Sequence, residues 1–240
     1  MTPLLAGGGP VIPNYGKATG CIANDNAFLC PKWVQEHWGD TLQPALVQHV
    51  YLTAIAVGIG FAIAFLCALA AHRFGWLAPP ISVFTAFLYT VPSIALFQVL
   101  VPITGITITT IEIGLVGYTL LVLFGNTLAG LRSVPPDVIE AARGMGLTRL
   151  QVLRRVELPL AVPAIGAGIR IAVVTTISLA TVAAYITPYG LGKPIFDGLQ
   201  IDYHTEYVMA GLLAIALALV ADAVLVLVQR SLTPWRRARA

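Results

Sequence analysis

Apolar residues run for about twenty positions at a time along this chain, near 50 to 71, 81 to 103, 111 to 131, 164 to 186 and 207 to 229. A helix needs roughly 20 apolar residues to cross the hydrocarbon core of a bilayer. The pattern therefore predicts an all-α integral membrane protein of about five transmembrane helices. The third connection, between 131 and 164, has about thirty residues, where a helical hairpin needs only a few. It is expected to be structured. The chain divides into a polar N-terminal tail, 1–49, a transmembrane domain, 50–232, and a basic tail, 233–240. The first tail is rich in Gly, Pro and Asn, with an amphipathic-looking piece from Pro31 to Trp38.

Composition supports the membrane class. The chain is 58% hydrophobic and 10% charged, with a mean hydropathy of +0.84, too apolar for an ordinary soluble domain. A net charge of +3 does not imply nucleic acid, because the basic residues punctuate the apolar runs as membrane loops do. Their distribution sets an orientation. Arg73 follows the first run, Arg132, Arg143, Arg149, Arg154 and Arg155 fill the third connection, and Arg230, Arg236, Arg237 and Arg239 follow the last. The second connection has no basic residue, and the fourth sets Lys193 against Asp197, Asp202 and Glu206. Five spans then run from an N-terminus outside to a C-terminus inside. The start of the chain lacks a basic segment before its apolar stretch, so no cleavable signal peptide is expected. A Cys21 to Cys30 disulfide and two free thiols are both compatible with that tail. His37, His49, His72 and His204 are scattered and have no Cys neighbour, so no metal site is expected.

Start and stop signals divide the third connection into two short helices. Pro136 suits a first helical position and Asp137 the positive helix end. Val138, Ile139, Ala141, Ala142 and Met145 form an apolar stripe, and Gly146 supplies a permissive break. Thr148 with Gln151 resembles a capping box for a second helix, which is expected to stop at Pro159. Composition alone allows a plain cytoplasmic hairpin. The residues say more: Glu140-Ala141-Ala142, three residues, Gly146, nine residues, then Val156-Glu157-Leu158-Pro159 resembles the EAA loop of bacterial ABC importer permeases, EAA(X)3G(X)9IXLP, with Val for Ile the one departure. Stretches such as TVPSIALFQVLVP and YGLGKPIFDGL also resemble osmoprotectant permeases of the glycine betaine, carnitine and choline uptake group. The likeness covers roughly 48 to 232 and leaves out the tail.

That resemblance implies a type I importer fold in the bacterial cytoplasmic membrane, with the loop at 133–163 forming coupling helices. Glu140, Ala141, Ala142, Gly146, Val156, Leu158 and Pro159 would be its coupling residues. It implies as partners a cytoplasmic ABC ATPase dimer, a second identical or related permease subunit, an extracytoplasmic solute-binding protein and membrane lipid. ATP and Mg would be bound by the ATPase, leaving this chain without a cofactor. The sequence agrees: G-x-x-x-x-G-K-[ST] does not occur, and Gly190-Leu191-Gly192-Lys193 lacks the full spacing. No nucleophile motif appears either, so the chain is not expected to be an enzyme.

Polar residues inside the runs suggest where solute passes. Thr175, Ser178, Thr181 and Tyr185 fall within about 120° on one helix face, which either lines a path or holds helices together. Pro92 interrupts the second run between Thr90 and Ser93, as a gate or as a plain kink. Asp222 lies at depth in the last run, and an acid there is either functional or reaches the cytoplasmic edge or an Arg of the loop. Two rivals remain. One is an importer of another amino-acid-like solute such as ergothioneine. The other is an ATP-independent channel or ion-coupled carrier with Asp222 as its ion-binding acid.

Overall fold

A computed structural model describes residues 28–233, and their regular structure is entirely helical. The amphipathic piece near the start is helix α1, Pro31–His37. A π-helical turn, Trp38–Leu42, joins it to α2, Gln43–Arg73. The tail boundary drawn at 49 thus falls inside a continuous helix, and the first span begins earlier than the apolar run. Sequence hydropathy places a span where water is excluded, whereas the helix extends through polar residues for as long as its backbone bonds can be made. Cys30 is disulfide-bonded and Cys67 is a free thiol, while Cys21 lies outside the described residues.

The second run is not one helix. α3, Ala78–Thr90, ends at Val91, and α4, Ser93–Thr104, starts after Pro92. Together with the 3-10 turn at Gly75–Leu77, the two form a pair bent by 98°. Pro92 explains the site of the break: its ring pushes the residue before it out of the α region, and Val91 has ψ 129. The opened corner is held by another helix, because the Tyr118 hydroxyl donates to the Val91 carbonyl. Four other helical stretches are long and apolar enough to cross a membrane, and the bent pair makes a fifth if it counts as one span.

α5, Ile108–Arg132, is the central element, packed against α2, α3, α4 and α8. In a bilayer, helices associate through close packing of small residues. α2 accordingly presents Ala56, Gly60, Ala64 and Ala68 at four-residue spacing, all buried. At Gly60 a side chain would collide with the Thr119 hydroxyl, so this approach requires glycine. The cores at the two ends of the bundle differ in one respect: the one holding Ala64, Ala68 and Ala71 is built on alanine around Phe124, and the other surrounds Phe97.

Within the third connection lie α6, Pro136–Gly144, and α7, Arg149–Val152, the two short helices expected there. The second does not stop at Pro159. A π turn, Leu153–Glu157, leads straight into α8, Leu158–Ala183. The Leu158 amide bonds the Leu153 carbonyl five residues back. That wider turn carries the helix past a proline that can donate no bond of its own. A further element the hydropathy pattern did not indicate, α9, Gly192–Gln200, lies in the fourth connection, and α10, His204–Leu232, follows. α10 packs on α8 and α9, leaving Leu219, Val220 and Leu227 exposed.

His49 fastens three elements together at the end opposite the loop. It is fully buried; its Nδ1 accepts from the Leu191 amide at 3.2 Å, which puts the proton on Nε2, 3.0 Å from the Ile177 carbonyl. Replacing it by Leu leaves the Leu191 amide without its acceptor, a cost of about 1–3 kcal/mol. We expect His49→Leu to lower the thermal unfolding midpoint in detergent by several degrees, and an unchanged midpoint would show that these bonds contribute no net stability.

Candidate functional site

The turn between α6 and α7 is fixed by backbone bonds. The Leu147 amide reaches the Ala142 carbonyl and the Gly146 amide reaches Arg143, the paired bonds of a Schellman motif with Gly146 at the position after the helix cap. Gly146 has φ +81, in the left-handed region that costs an L side chain about 1–2 kcal/mol. Space is not the constraint, since nothing lies within 4 Å of where a Cβ would stand. Immediately after it the capping box forms: the Thr148 amide donates to Gln151 Oε1 at 2.7 Å, and the Gln151 amide to Thr148 Oγ1 at 3.4 Å. Two helix ends are thereby satisfied within ten residues, Ala142 to Gln151, which sets the angle between α6 and α7.

The residues expected to form the coupling surface divide by exposure. Ala142 is buried and anchors α6, while Glu140 and Ala141 face outward beside the exposed Val138, Met145 and Leu150. The loop thus shows exposed apolar side chains among exposed charges of both signs, Asp137 and Glu140 with Arg143 and Arg149. Val156, Leu158 and Pro159 are half-buried where α7 passes into α8. Between the loop and α2 is a cavity of about 530 Å³ whose lining includes His72, Ile139, Arg143, Arg149, Leu153 and Glu157.

Glu157, the variable position of the recognised motif, was missed in sequence. It is 7% exposed and its Oε2 lies 3.0 Å from His72 Nε2, tying the loop to the end of α2. An acid inside a motif and a His at the end of the first run were each visible, but nothing in the spacing joins them.

The proposed path residues lie on α8, at the corner between α3 and α4, and on α10. On α8, Ser178 is exposed and Thr175 and Thr181 are half-buried. The last two hydroxyls donate to their own helix, at the Ile171 and Ser178 carbonyls. Among the described residues these hydroxyls bond no neighbouring helix. Thr90 and Pro92 are exposed at the corner between α3 and α4, with Ser93 half-buried and the Thr90 hydroxyl on the Phe87 carbonyl. Asp222 pairs with a residue other than a loop arginine. Arg170, in the middle of α8, holds it in a two-pronged pair, Nε to Oδ1 at 2.8 Å and NH2 to Oδ2 at 2.9 Å. The sequence carried a usable signal: Arg170 is about 18 Å from the loop end of α8 and Asp222 about 15 Å from the same end of α10. Glu112, on α5, buries both carboxylate oxygens without a hydrogen-bond partner among the described residues. Among those residues no group of His, Cys, Asp or Glu could hold a metal.

The family model described as binding-protein-dependent transport system inner membrane component matches residues 54–237. A permease protein of the glycine betaine/carnitine/choline transport system of Bacillus subtilis is 34% identical over 78% of this chain and 86% of its own length. An osmoprotectant import permease protein of Salmonella typhimurium is 38% identical over 78% and 89%. Among solved structures, an inward-facing form of the MetNI methionine ABC transporter superposes with a TM-score of 0.67 over 78% of this chain and 93% of that one, at 20% identity.

Proposed function

The chain belongs to the family of binding-protein-dependent transport system inner membrane components, and from that premise we propose that it carries compatible solutes of the quaternary ammonium class, such as glycine betaine, carnitine or choline, through the membrane. It is the permease subunit of an ABC importer. The names of relatives at 34% and 38% identity support the solute class. Two permease subunits, an ATPase dimer at the loop and a solute-binding protein at the opposite end make up the working assembly. The chain's C-terminus lies on the ATPase side and its N-terminus outside. Nucleotide and Mg belong to the ATPase, and this subunit performs no hydrolysis of its own.

The observation that carries the mechanism is the continuity of α7 with α8. From Arg149 to Ala183 the chain is one helical stretch of 35 residues. A displacement applied to α7 therefore reaches the hydroxyl-bearing face of α8 along one helical stretch, and one applied to α6 reaches α7 through the hydrogen-bonded turn at Gly146. When ATP binding closes the ATPases, the loop moves with them, the Glu157–His72 contact takes α2 along, and the pair of permeases changes the side its cavity faces. Glu140 supplies a charge to the docking surface, with Met145 and Leu150 as apolar contacts. An ion-coupled carrier built on Asp222 is disfavoured, because Arg170 already engages both of its carboxylate oxygens.

Vesicles containing the permease with its ATPase should accumulate labelled glycine betaine when ATP is inside and loaded binding protein outside. Uptake should vanish without either component. Uptake at an undiminished rate without the ATPase would support the carrier reading instead.

A further inference from the structure

At the end of α8 away from the loop, the chain turns back as α9, and the two enclose a cavity of about 450 Å³ lined by Tyr185, Pro188, Lys193, Phe196, Asp197 and Gln200 among others. Lys193, Phe196, Asp197 and Gln200 stand at the spacing that puts residues on one face of a helix. The face is held in place from behind. Gly192 sits so close to the Thr181 carbonyl that no side chain would fit, the Gly190 amide bonds Gln48 Oε1 at 3.1 Å, and the Leu191 amide bonds His49. Across the cavity, the Tyr185 and Phe196 rings lie with centroids 5.7 Å apart and planes at 59°. Lys193 pairs with Asp197. Tyr185, expected from sequence on the same helix face as Ser178 and Thr181, instead lies in the turn just past the end of α8, so the cavity sits at the end of the helix that carries the proposed path.

We propose that this cavity is a receiving site for solute on the permease itself, and that it favours zwitterionic quaternary ammonium compounds over simple quaternary cations. The inference rests on the proposed solute class and adds a site and a selectivity to it. A quaternary ammonium group has no N–H to donate, so it is recognised by aromatic faces and by negative charge. Tyr185, Phe196 and Asp197 provide both. What a plain cation site would not contain is Lys193. Its ammonium repels choline but meets the carboxylate of a betaine. Residues one helical turn apart lie about 5–6 Å from each other at Cβ, near enough for one small zwitterion to reach both side chains. In this structure Lys193 and Asp197 pair with one another. Their side chains are 50% and 41% exposed, and a pair so exposed is worth little. A zwitterion therefore exchanges one weak internal pair for two contacts with itself, whereas a monocation leaves Lys193 unanswered.

The complete complex in vesicles, supplied with saturating binding protein loaded with glycine betaine or with choline, gives two uptake rates and their ratio. Lys193→Gln is expected to lower the betaine-to-choline ratio about tenfold, the loss of one charge-assisted contact. Lys193→Arg should hold the ratio within about twofold of the unaltered chain, by the same reasoning. Phe196→Leu should slow both solutes. Asp197→Asn should slow choline at least as much as betaine. The proposal is overturned if Lys193→Gln leaves the ratio unchanged. It is equally overturned if Asp197→Asn lowers the ratio as Lys193→Gln does, because the ion pair would then only brace α9. An unaltered complex that takes up neither solute overturns the proposed function and this site with it, and that failure is read in different vesicles from the variants.

Discussion

Replacing Gly146 by proline is expected to abolish ATP-dependent uptake while the permease still reaches the membrane in normal amount. Three features of the turn oppose proline at once. Gly146 has φ +81, and the ring fixes φ near −65°. The Gly146 amide bonds the Arg143 carbonyl, and proline has no N–H to replace it. Met145, at φ −75 and ψ 3, holds a conformation that a following proline disfavours. The combined cost is about 3 kcal/mol or more, concentrated in a turn that sets the angle of α6 and α7. Gly146→Ala, which keeps the amide, costs about 1–2 kcal/mol and should leave partial coupling. Glu140→Ala should weaken ATPase binding, since truncating one partner of a buried interfacial charge pair costs about 2–5 kcal/mol. Quantifying ATPase bound, solute-stimulated hydrolysis and uptake in one set of vesicles checks all three. Full coupled transport by Gly146→Pro would remove the loop from the mechanism.

Asp222→Asn is expected to reduce the amount of assembled permease, not only its rate. The substitution leaves Arg170 charged in the middle of a membrane helix with its carboxylate partner gone, and an unpaired intramembrane charge is strongly disfavoured. Arg170→Gln strands Asp222 in the same way. The double variant, Arg170→Gln with Asp222→Asn, removes both charges and leaves two amides able to bond one another. It should therefore recover assembly that each single change loses, the coupling expected of residues in direct contact. Quantitative recovery of folded complex from membranes gives the comparison. If the double variant assembles no better than the singles, the pair does not act as a unit. If Asp222→Asn assembles normally yet fails to transport, the acid has the separate functional role that the pairing argues against.

The expectations that held came from signals local in sequence. The Gly146 turn and the Thr148–Gln151 box are written within ten residues, Ala142 to Gln151, and the structure forms them through bonds between those same residues. The all-helical, membrane-spanning architecture followed from the lengths of apolar runs, which need no tertiary information. Where the reading departed from the structure, the deciding partner lay far along the chain or the signal was too narrowly interpreted. Pro92 was legible as an interruption, but the 98° bend depends on Tyr118 being placed to receive the freed carbonyl. Pro159 read as a stop because a proline removes one bond, and the π turn that carries the helix past it has no distinct sequence mark. Asp222 was found as an intramembrane acid, while Arg170 passed unnoticed inside a run whose average hydropathy hid it. α9 escaped because an amphipathic helix of nine residues looks, in hydropathy, like a loop.

The central claim is that the outward face of α6 docks on the ATPase and passes its motion to α8. A cysteine in place of Ala141, in a chain whose Cys67 is replaced by alanine, puts a reactive group on that face without disturbing the buried Ala142. In the assembled complex, a short thiol-cleavable crosslinker should join it to the ATPase subunit, with a yield that changes when ATP is bound, and should stop uptake until the link is cleaved. No crosslink to the ATPase in a complex that transports at full rate, or a crosslink that leaves ATP-driven uptake untouched, would contradict the account.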